Sequence, residues 1–430
     1  MAAKVKILAM GAFKSYDRNL CSYFDSVALE LAGRGDLALL NTAAPRHSQP
    51  DIELRMTEIP APPQLLEVRP PVVCGRLPDW AEAYRQERPQ LNKAAVNLMA
   101  AFPYLDRVSA DLRVAQFYQG AEEALRQYRP DLLLIWNKYH CQHWVTNLAA
   151  QAEGVPVLYL EYGVLPGTLA LDAAGHMGES QPALGAVEFS ALPVSGSQIE
   201  LAEAYLEHLR LGEANARSQP PKGRSKEIVE RLRPGRPVLL YAGQNDCDAG
   251  MVPYGQTARR LHSPVFTSTL EALKYLDGLA AENDWNLIFK PHPVVARNGG
   301  QPIDFPLRRA MVINEANINE IIDLADLLIT IVSQASYIAL IRRCPVLMLG
   351  FTQLKGSGAA YEVFSLPDIR NMVEKALADG FGPGRQKVFA EHAARLLTHY
   401  LYRLPQTPEG FMMKSMPDLA DRLLKAAGSP

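Results

Sequence analysis

The chain has 430 residues, 21% of them charged and 48% hydrophobic, with a formal net charge of −2. Such apolar content excludes wholesale disorder, and at roughly 150 residues per domain the length implies two or three domains, of which two is the reading taken. A near-neutral charge offers no field for collecting nucleic acid, so no nucleic-acid partner is expected.

Val5 to Met10 reads as a strand, Gly11 to Ser15 as a turn, and Leu20, Phe24, Val27 and Leu31 recur at helical spacing before a second strand, Leu37 to Leu40. That is a βαβ opening. The proline-rich stretch from Pro45 to Pro78 lacks a period and reads as an irregular excursion. Helical patterning runs from Trp80 to Tyr128 with breaks near Pro89 and Pro103. A strand from Asp131 to Trp136, a helix from His143 to Ala152 and a strand from Val155 to Leu160, ending at Glu161, follow. The same grammar resumes at Val238 to Tyr241, Leu287 to Phe289, Val312 to Ile313, Leu327 to Val332 and Val346 to Gly350. Alternating strands and helices imply α/β architecture, with parallel sheets covered on both faces.

Between the two halves lies Arg217 to Arg236, which contains seven Lys or Arg residues and reads as a solvated linker arm or as a basic surface for an anionic lipid or substrate. The predicted division is 1–185 for an N-terminal Rossmann-like acceptor-side domain, 186–236 for a linker and 237–400 for a C-terminal Rossmann-like donor domain. The last part, 401–430, is read as a helix packing back on the N-terminal domain. The final helices are placed at Gln386 to Leu404 and Pro417 to Ala427.

Five scattered cysteines (Cys21, Cys74, Cys141, Cys247, Cys344) form no disulfide framework and point to a reducing cytoplasm. The apolar stretch before Gly11 is too short for a signal peptide, and no window approaches the ~18 apolar residues of a spanning helix. Any membrane contact is expected to be peripheral, at the inner face of the cytoplasmic membrane. His140, Cys141 and His143 match no zinc-ligand spacing, so no metal is expected. The absence of a G-x-x-x-x-G-K-[ST] loop and of a G-x-S-x-G elbow argues against a P-loop NTPase and an α/β-hydrolase.

Four motifs, in order, carry a resemblance: Leu160-Glu161-Tyr162-Gly163 with Leu165-Pro166-Gly167; Gly243-Gln244-Asn245-Asp246-Cys247-Asp248-Ala249; Phe289-Lys290-Pro291-His292-Pro293; and Ser333 in a strand-to-helix turn. In these the chain resembles the capsule polysaccharide biosynthesis family of bacterial glycosyltransferases, of the β-Kdo transferase type. The resemblance implies a GT-B fold, two Rossmann-like domains with parallel sheets facing a central cleft. It also implies a CMP-Kdo donor, a lipid or capsular glycan acceptor and no cofactor or metal. Where that family commonly has glutamate after the serine turn, this chain has Ile338, which leaves the nucleotide-ribose contact and the donor open.

The resemblance makes Asp248 the nucleophile of a retaining double displacement and Glu161 the acid/base for the acceptor hydroxyl, a task that a carboxyl group of raised pKa suits. Asp246, two residues away, is an alternative to Asp248, and both aspartates also fit ordinary turn roles. His292, set between prolines, suits donation to a leaving phosphate, with Lys290 adding positive charge. Ser333, Gln334 and Ser336 fall at a helix start, where amide groups favour phosphate or carboxylate. Gln244 and Asp246 complete the donor-binding set, and Asn137 is an acceptor-side contact. Gly350, Gly356 and Gly358 read as a flexible loop around the donor. Three rivals stay open: a transferase of the same architecture using CMP-sialic acid or a UDP-sugar, a nucleotide-sugar epimerase of the same shape, and a non-catalytic polysaccharide-assembly binding protein.

Overall fold

The computed structural model describes residues 4–11, 18–42, 57–66, 70–73, 75–215, 219–297, 302–404, 407, 409–411 and 414–428. Most of the expected turn at 11–15 and much of the 45–78 excursion lie outside these residues, as does Arg217. The chain forms two compact units: Met1–Glu161 with Gly167–His176 and Leu401–Pro430, and Tyr162–Pro166 with Met177–Tyr400.

The first unit is built on a seven-stranded sheet. Its strands are β1 (Val5–Met10), β2 (Gly35–Asn41), β3 (Thr57–Pro60), β4 (Leu132–Trp136), β5 (Val157–Tyr162), β6 (Thr168–Asp172) and, far along the chain, β13 (Leu401–Arg403). The spatial order is β13-β6-β5-β4-β1-β2-β3. The pairs β1–β2, β1–β4, β2–β3 and β4–β5 are parallel, whereas β13 runs antiparallel to β6. Every residue of β4 is buried. Because successive side chains point to opposite faces, both faces of the sheet are covered, as its continuous apolar run requires. One face carries helices Leu91–Ala101, Arg107–Tyr128 and Cys141–Ala152, whose Leu98, Val114, Phe117, Tyr118 and Val145 join Leu8, Met10, Leu133 and Ile135 in a single core. Helix Met416–Ala426 packs on helix Arg18–Leu31, and Arg34 reaches Asp421 at 2.7 Å.

The second unit has six strands: β7 (Val238–Ala242), β8 (Asn286–Lys290), β9 (Ala310–Val312), β10 (Leu327–Thr330), β11 (Val346–Met348) and β12 (Tyr361–Glu362). Their order is β12-β11-β10-β7-β8-β9, and every pairing is parallel. In sequence this is the 3-2-1-4-5-6 arrangement of doubly wound sheets, and its order reverses between β7 and β10. Its core centres on Tyr241 and Phe289, stacked at 5.4 Å between ring centroids, with Leu239, Leu276, Ile329 and Leu347 around them.

Several elements differ from expectation. Residues 186–236, read as a linker, contain helices Gly196–Leu211 and Ser225–Arg231 and belong to the second unit. A capping box between Ser195 and Gln198 starts the first of them. The helix expected at Gln386 to Leu404 instead spans Pro383–Arg395, loosens into a π-turn at Leu396–Tyr400 and becomes β13, where Leu401 pairs with Ala170 and Tyr402 with Leu169. Strands β3, β6 and β12 were not anticipated: β3 lies in the 45–78 stretch read as irregular and pairs with β2, and β12 has two residues, too few to show a period.

Candidate active site

Ligands of open α/β sheets lie outside the carboxyl ends of the strands, where the strand order reverses. In the second unit that point falls between Ala242, which ends β7, and Thr330, which ends β10. The Thr330 hydroxyl donates to the Ala242 carbonyl at 2.7 Å and accepts the Ser333 amide at 3.2 Å, so one side chain ties both strand ends together. On the other flank, Gly243 donates its amide to the Lys290 carbonyl at 2.9 Å, continuing the β7–β8 register. A β-carbon at Gly243 would stand 3.0 Å from Thr269 Cγ2 and 3.1 Å from Phe289 Cε2, a close approach that glycine accommodates.

The loop after β7 separates the two aspartates. Asp246 is buried, and its carboxylate is fully engaged: Oδ2 accepts the Thr269 amide at 2.9 Å, and Oδ1 accepts the Thr269 hydroxyl and Gln244 Nε2, each at 2.7 Å. Burial raises its pKa against the lowering effect of these bonds. The carboxylate thus sits at the amino terminus of helix Thr269–Glu282, a favourable place for an anion. Asp248 is half-buried, and its Oδ2 accepts Asn245 Nδ2 at 2.7 Å.

After β8, His292 Nδ1 accepts the Val294 amide at 3.3 Å, which places the neutral ring's proton on Nε2. Lys290 is buried; its ammonium approaches the Asn314 carbonyl at 3.4 Å, and burial lowers its pKa. Gln244, Thr269, Phe289, Pro291, His292 and Asn314 line a cavity of about 210 Å³. Gln244 and His292 therefore share one hollow, while Asp248 stands outside its lining. A larger hollow of about 510 Å³ opens on Lys222, Ser225 and Glu320, away from the carboxyl ends of the strands.

After β10, Ser333 Oγ accepts the Ala335 amide at 3.3 Å, and Ser336, fully buried, donates to the Ser333 carbonyl at 2.9 Å. Helix Ala335–Ile341 has seven residues, and the Ser336 hydroxyl is taken up by its first turn. Gln334 Nε2 reaches the Tyr162 carbonyl at 3.3 Å. Ile338 is buried in the same helix. Gly350 is no flexible hinge: a β-carbon there would stand 2.3 Å from the His262 carbonyl oxygen. Gly356 and Gly358 do adopt left-handed backbone, at φ +68° and +77°.

In the first unit, Glu161 lies buried on β5. Asn137 follows β4 with φ +48°; its amide donates to Leu160 at 3.0 Å, and its Oδ1 accepts the Tyr139 amide at 2.9 Å. His143 Nδ1 lies 3.1 Å from the Asn137 carbonyl, and burial presses its pKa down to about 3, so the ring is neutral and donates from Nδ1.

Sequence reasoning missed Thr269, Asn245 and Asn314. Ser268-Thr269-Leu270-Glu271 is a capping signature that marks the helix start, and Ser268 Oγ accepts the Glu271 amide at 3.2 Å. Nothing local announces that Asp246 spans 23 positions to reach it.

Neither a family model nor a curated protein matches the sequence. Among solved structures, the chain is similar to Thermosulfurimonas dismutans KpsC, beta Kdo 2,7 transferase, at 18% identity over 76% of this chain and 94% of that one, with a TM-score of 0.41. The beta Kdo 2,4 transferase of the same organism gives 18% identity over 68% and 86%, with a TM-score of 0.43. The glycosyltransferase SnogD from Streptomyces nogalater gives 14% identity over 98% and 99%, with a TM-score of 0.34.

Proposed function

We propose that the chain is a glycosyltransferase that takes its sugar from a nucleotide donor, with CMP-Kdo as the donor and a lipid or capsular glycan as the acceptor. The observation that carries the reading is the grouping of Gln244, Asp248, Lys290, His292 and Ser333 at the carboxyl ends of β7, β8 and β10, beside the strand-order reversal. The sequence resemblance supplies the donor class.

In this reading His292 Nε2–H and the buried Lys290 ammonium stabilise the departing phosphate, and the low-dielectric setting of Lys290 strengthens its pull on an anion. Asn245 holds one oxygen of Asp248, and the other attacks the anomeric carbon as the bond from that carbon to the phosphate oxygen breaks. The nucleotide leaves with the electron pair. The acceptor hydroxyl then gives its proton to a general base, the role the sequence resemblance assigns to Glu161, and displaces Asp248, retaining configuration. Asn137 is an acceptor contact. No metal enters these steps. Gln244 and Asp246 position the loop, and Ser333 with Gln334 shapes its β10 flank. The site is proposed to work at the cytoplasmic face of the membrane; among the described residues, no helix is long and apolar enough to cross one.

A thermal-shift panel of CMP, UDP, GDP and CDP, followed by donor hydrolysis with the best binder, tests the reading. Preferential stabilisation by CMP is expected, since a ligand bound only by the folded state raises Tm. Preference for UDP would move the donor to a UDP-sugar. No shift with any nucleotide would leave a non-catalytic glycan-binding role.

A further inference from the structure

Four basic residues of the 217–236 segment pair with neighbouring carboxylates: Lys222 with Glu213, Arg224 and Arg231 with Glu227, and Lys226 with Glu230. Arg233 and Arg236 behave differently. Both turn to Asp284, where Arg309 meets them, so three guanidiniums surround one carboxylate. Arg236 Nε lies 2.7 Å from Asp284 Oδ2 and Arg309 Nη2 3.3 Å from Oδ1, while Arg233 contacts Oδ1 and donates to the Trp285 carbonyl at 2.8 Å. Among the described residues, no second carboxylate pairs with any of the three. Two positive charges are therefore left over.

The frame beneath this cluster is rigid. Arg236 precedes β7, Asp284 precedes β8 and Arg309 precedes β9, three adjacent strands of one parallel ladder. The buried Asp277 carboxylate accepts the amides of Arg308, Arg309 and Ala310 at 2.6–2.8 Å, fixing the backbone that carries Arg309. Asn286 grips the Arg233 amide at 2.9 Å. Burial first, then the charges of Arg309 and Arg236, lower the pKa of Arg233, so the cations repel one another across a partly exposed surface.

We propose that Arg233, Arg236 and Arg309 form a binding site for a phosphate-bearing anion, at the opposite strand ends from the candidate active site. One carboxylate neutralises one guanidinium, and an incoming phosphate relieves the remaining repulsion. Planar guanidinium forks suit pairs of phosphate oxygens, and the shared Asp284 holds them in place before the ligand arrives. The phosphate belongs either to a lipid headgroup or to a soluble phosphate compound.

The test is arginine labelling of the full chain by phenylglyoxal, with each site's rate read by mass spectrometry and inorganic pyrophosphate as the probe. Pyrophosphate is expected to slow labelling at Arg233, Arg236 and Arg309 together, severalfold, and to leave Arg76, whose side chain is 88% exposed, unchanged. Protection by phosphatidylglycerol vesicles, but not by phosphatidylcholine vesicles, assigns the lipid headgroup; protection by pyrophosphate alone assigns a soluble ligand. Unchanged rates at the three arginines with both probes overturn the proposal. Protection at Arg233 that persists undiminished in the double variant Arg236→Ala/Arg309→Ala also overturns it. Should that variant fail to fold, the wild-type protection pattern still decides.

Discussion

The Thr269 hydroxyl donates to Asp246 Oδ1 at 2.7 Å, and this bond, with the Gln244 amide donated to the same oxygen, orients Gln244. An ionised carboxylate only accepts, so the hydroxyl proton points at Asp246. Toward Gln244, Thr269 Oγ1 must then accept, which turns Nε2 to both partners and Oε1 away.

Thr269→Val keeps the shape and removes both roles. It is expected to cost about 1–3 kcal/mol, the penalty of an unsatisfied buried polar group. Urea denaturation measures it, with Thr269→Ser close to wild type. A Val variant within about 0.5 kcal/mol of wild type would show that the network contributes little.

Asp248 and Asp246 are expected to fail differently. Asp248→Ala should lower turnover by about 10³-fold or more while CMP affinity stays intact, as for loss of a covalent nucleophile. Asp246→Asn should instead lower stability, because it turns an engaged anion into a group that must also donate. His292→Ala should weaken both nucleotide binding and turnover. Near-normal turnover in Asp248→Ala would end the nucleophile assignment.

Lys290 should destabilise the fold in a pH-dependent way. Its folded pKa lies below the usual lysine value, so the unfolded chain binds more protons in the interval between the two, and stability rises with pH across it. Lys290→Met is expected to be more stable than wild type at neutral pH, with the gap closing as pH approaches about 10.5. Paired thermal melts from pH 7 to pH 10.5 decide the sign, and a less stable Met variant at neutral pH would contradict it.

Two glycines make a paired test. Gly350→Ala puts a β-carbon against the His262 carbonyl oxygen and Ile331, and is expected to cost about 1–3 kcal/mol or more. Gly278 lies inside helix Thr269–Glu282, where an added methyl would meet nothing within 4 Å, so Gly278→Ala should stabilise by about 0.5–1 kcal/mol. Equal effects from the two would mean that local crowding does not govern either.

Central strands were legible because burial on both faces forces continuous apolar runs: β4, β7, β8 and β10 each read as such. Strand ends followed, and with them the positions of Gln244, His292 and Ser333. Two things were not legible. Edge strands of two or three residues, such as β12 and β13, carry no period and are made by their neighbours. Side-chain partnerships across long separations are also invisible locally, so nothing in the sequence shows that Thr269, 23 positions on, holds Asp246.

The polypeptide passes between its two units four times, after Glu161, Pro166, His176 and Tyr400. During synthesis, the unit that begins first is therefore finished last: β6 waits for its antiparallel neighbour, and helix Arg18–Leu31 for its partner, until the segment after Tyr400 leaves the ribosome. The later-starting unit has its entire six-stranded ladder in hand before then. No single cut in the gene separates the two, and a nascent chain stalled before residue 401 presents an open sheet edge to its chaperones.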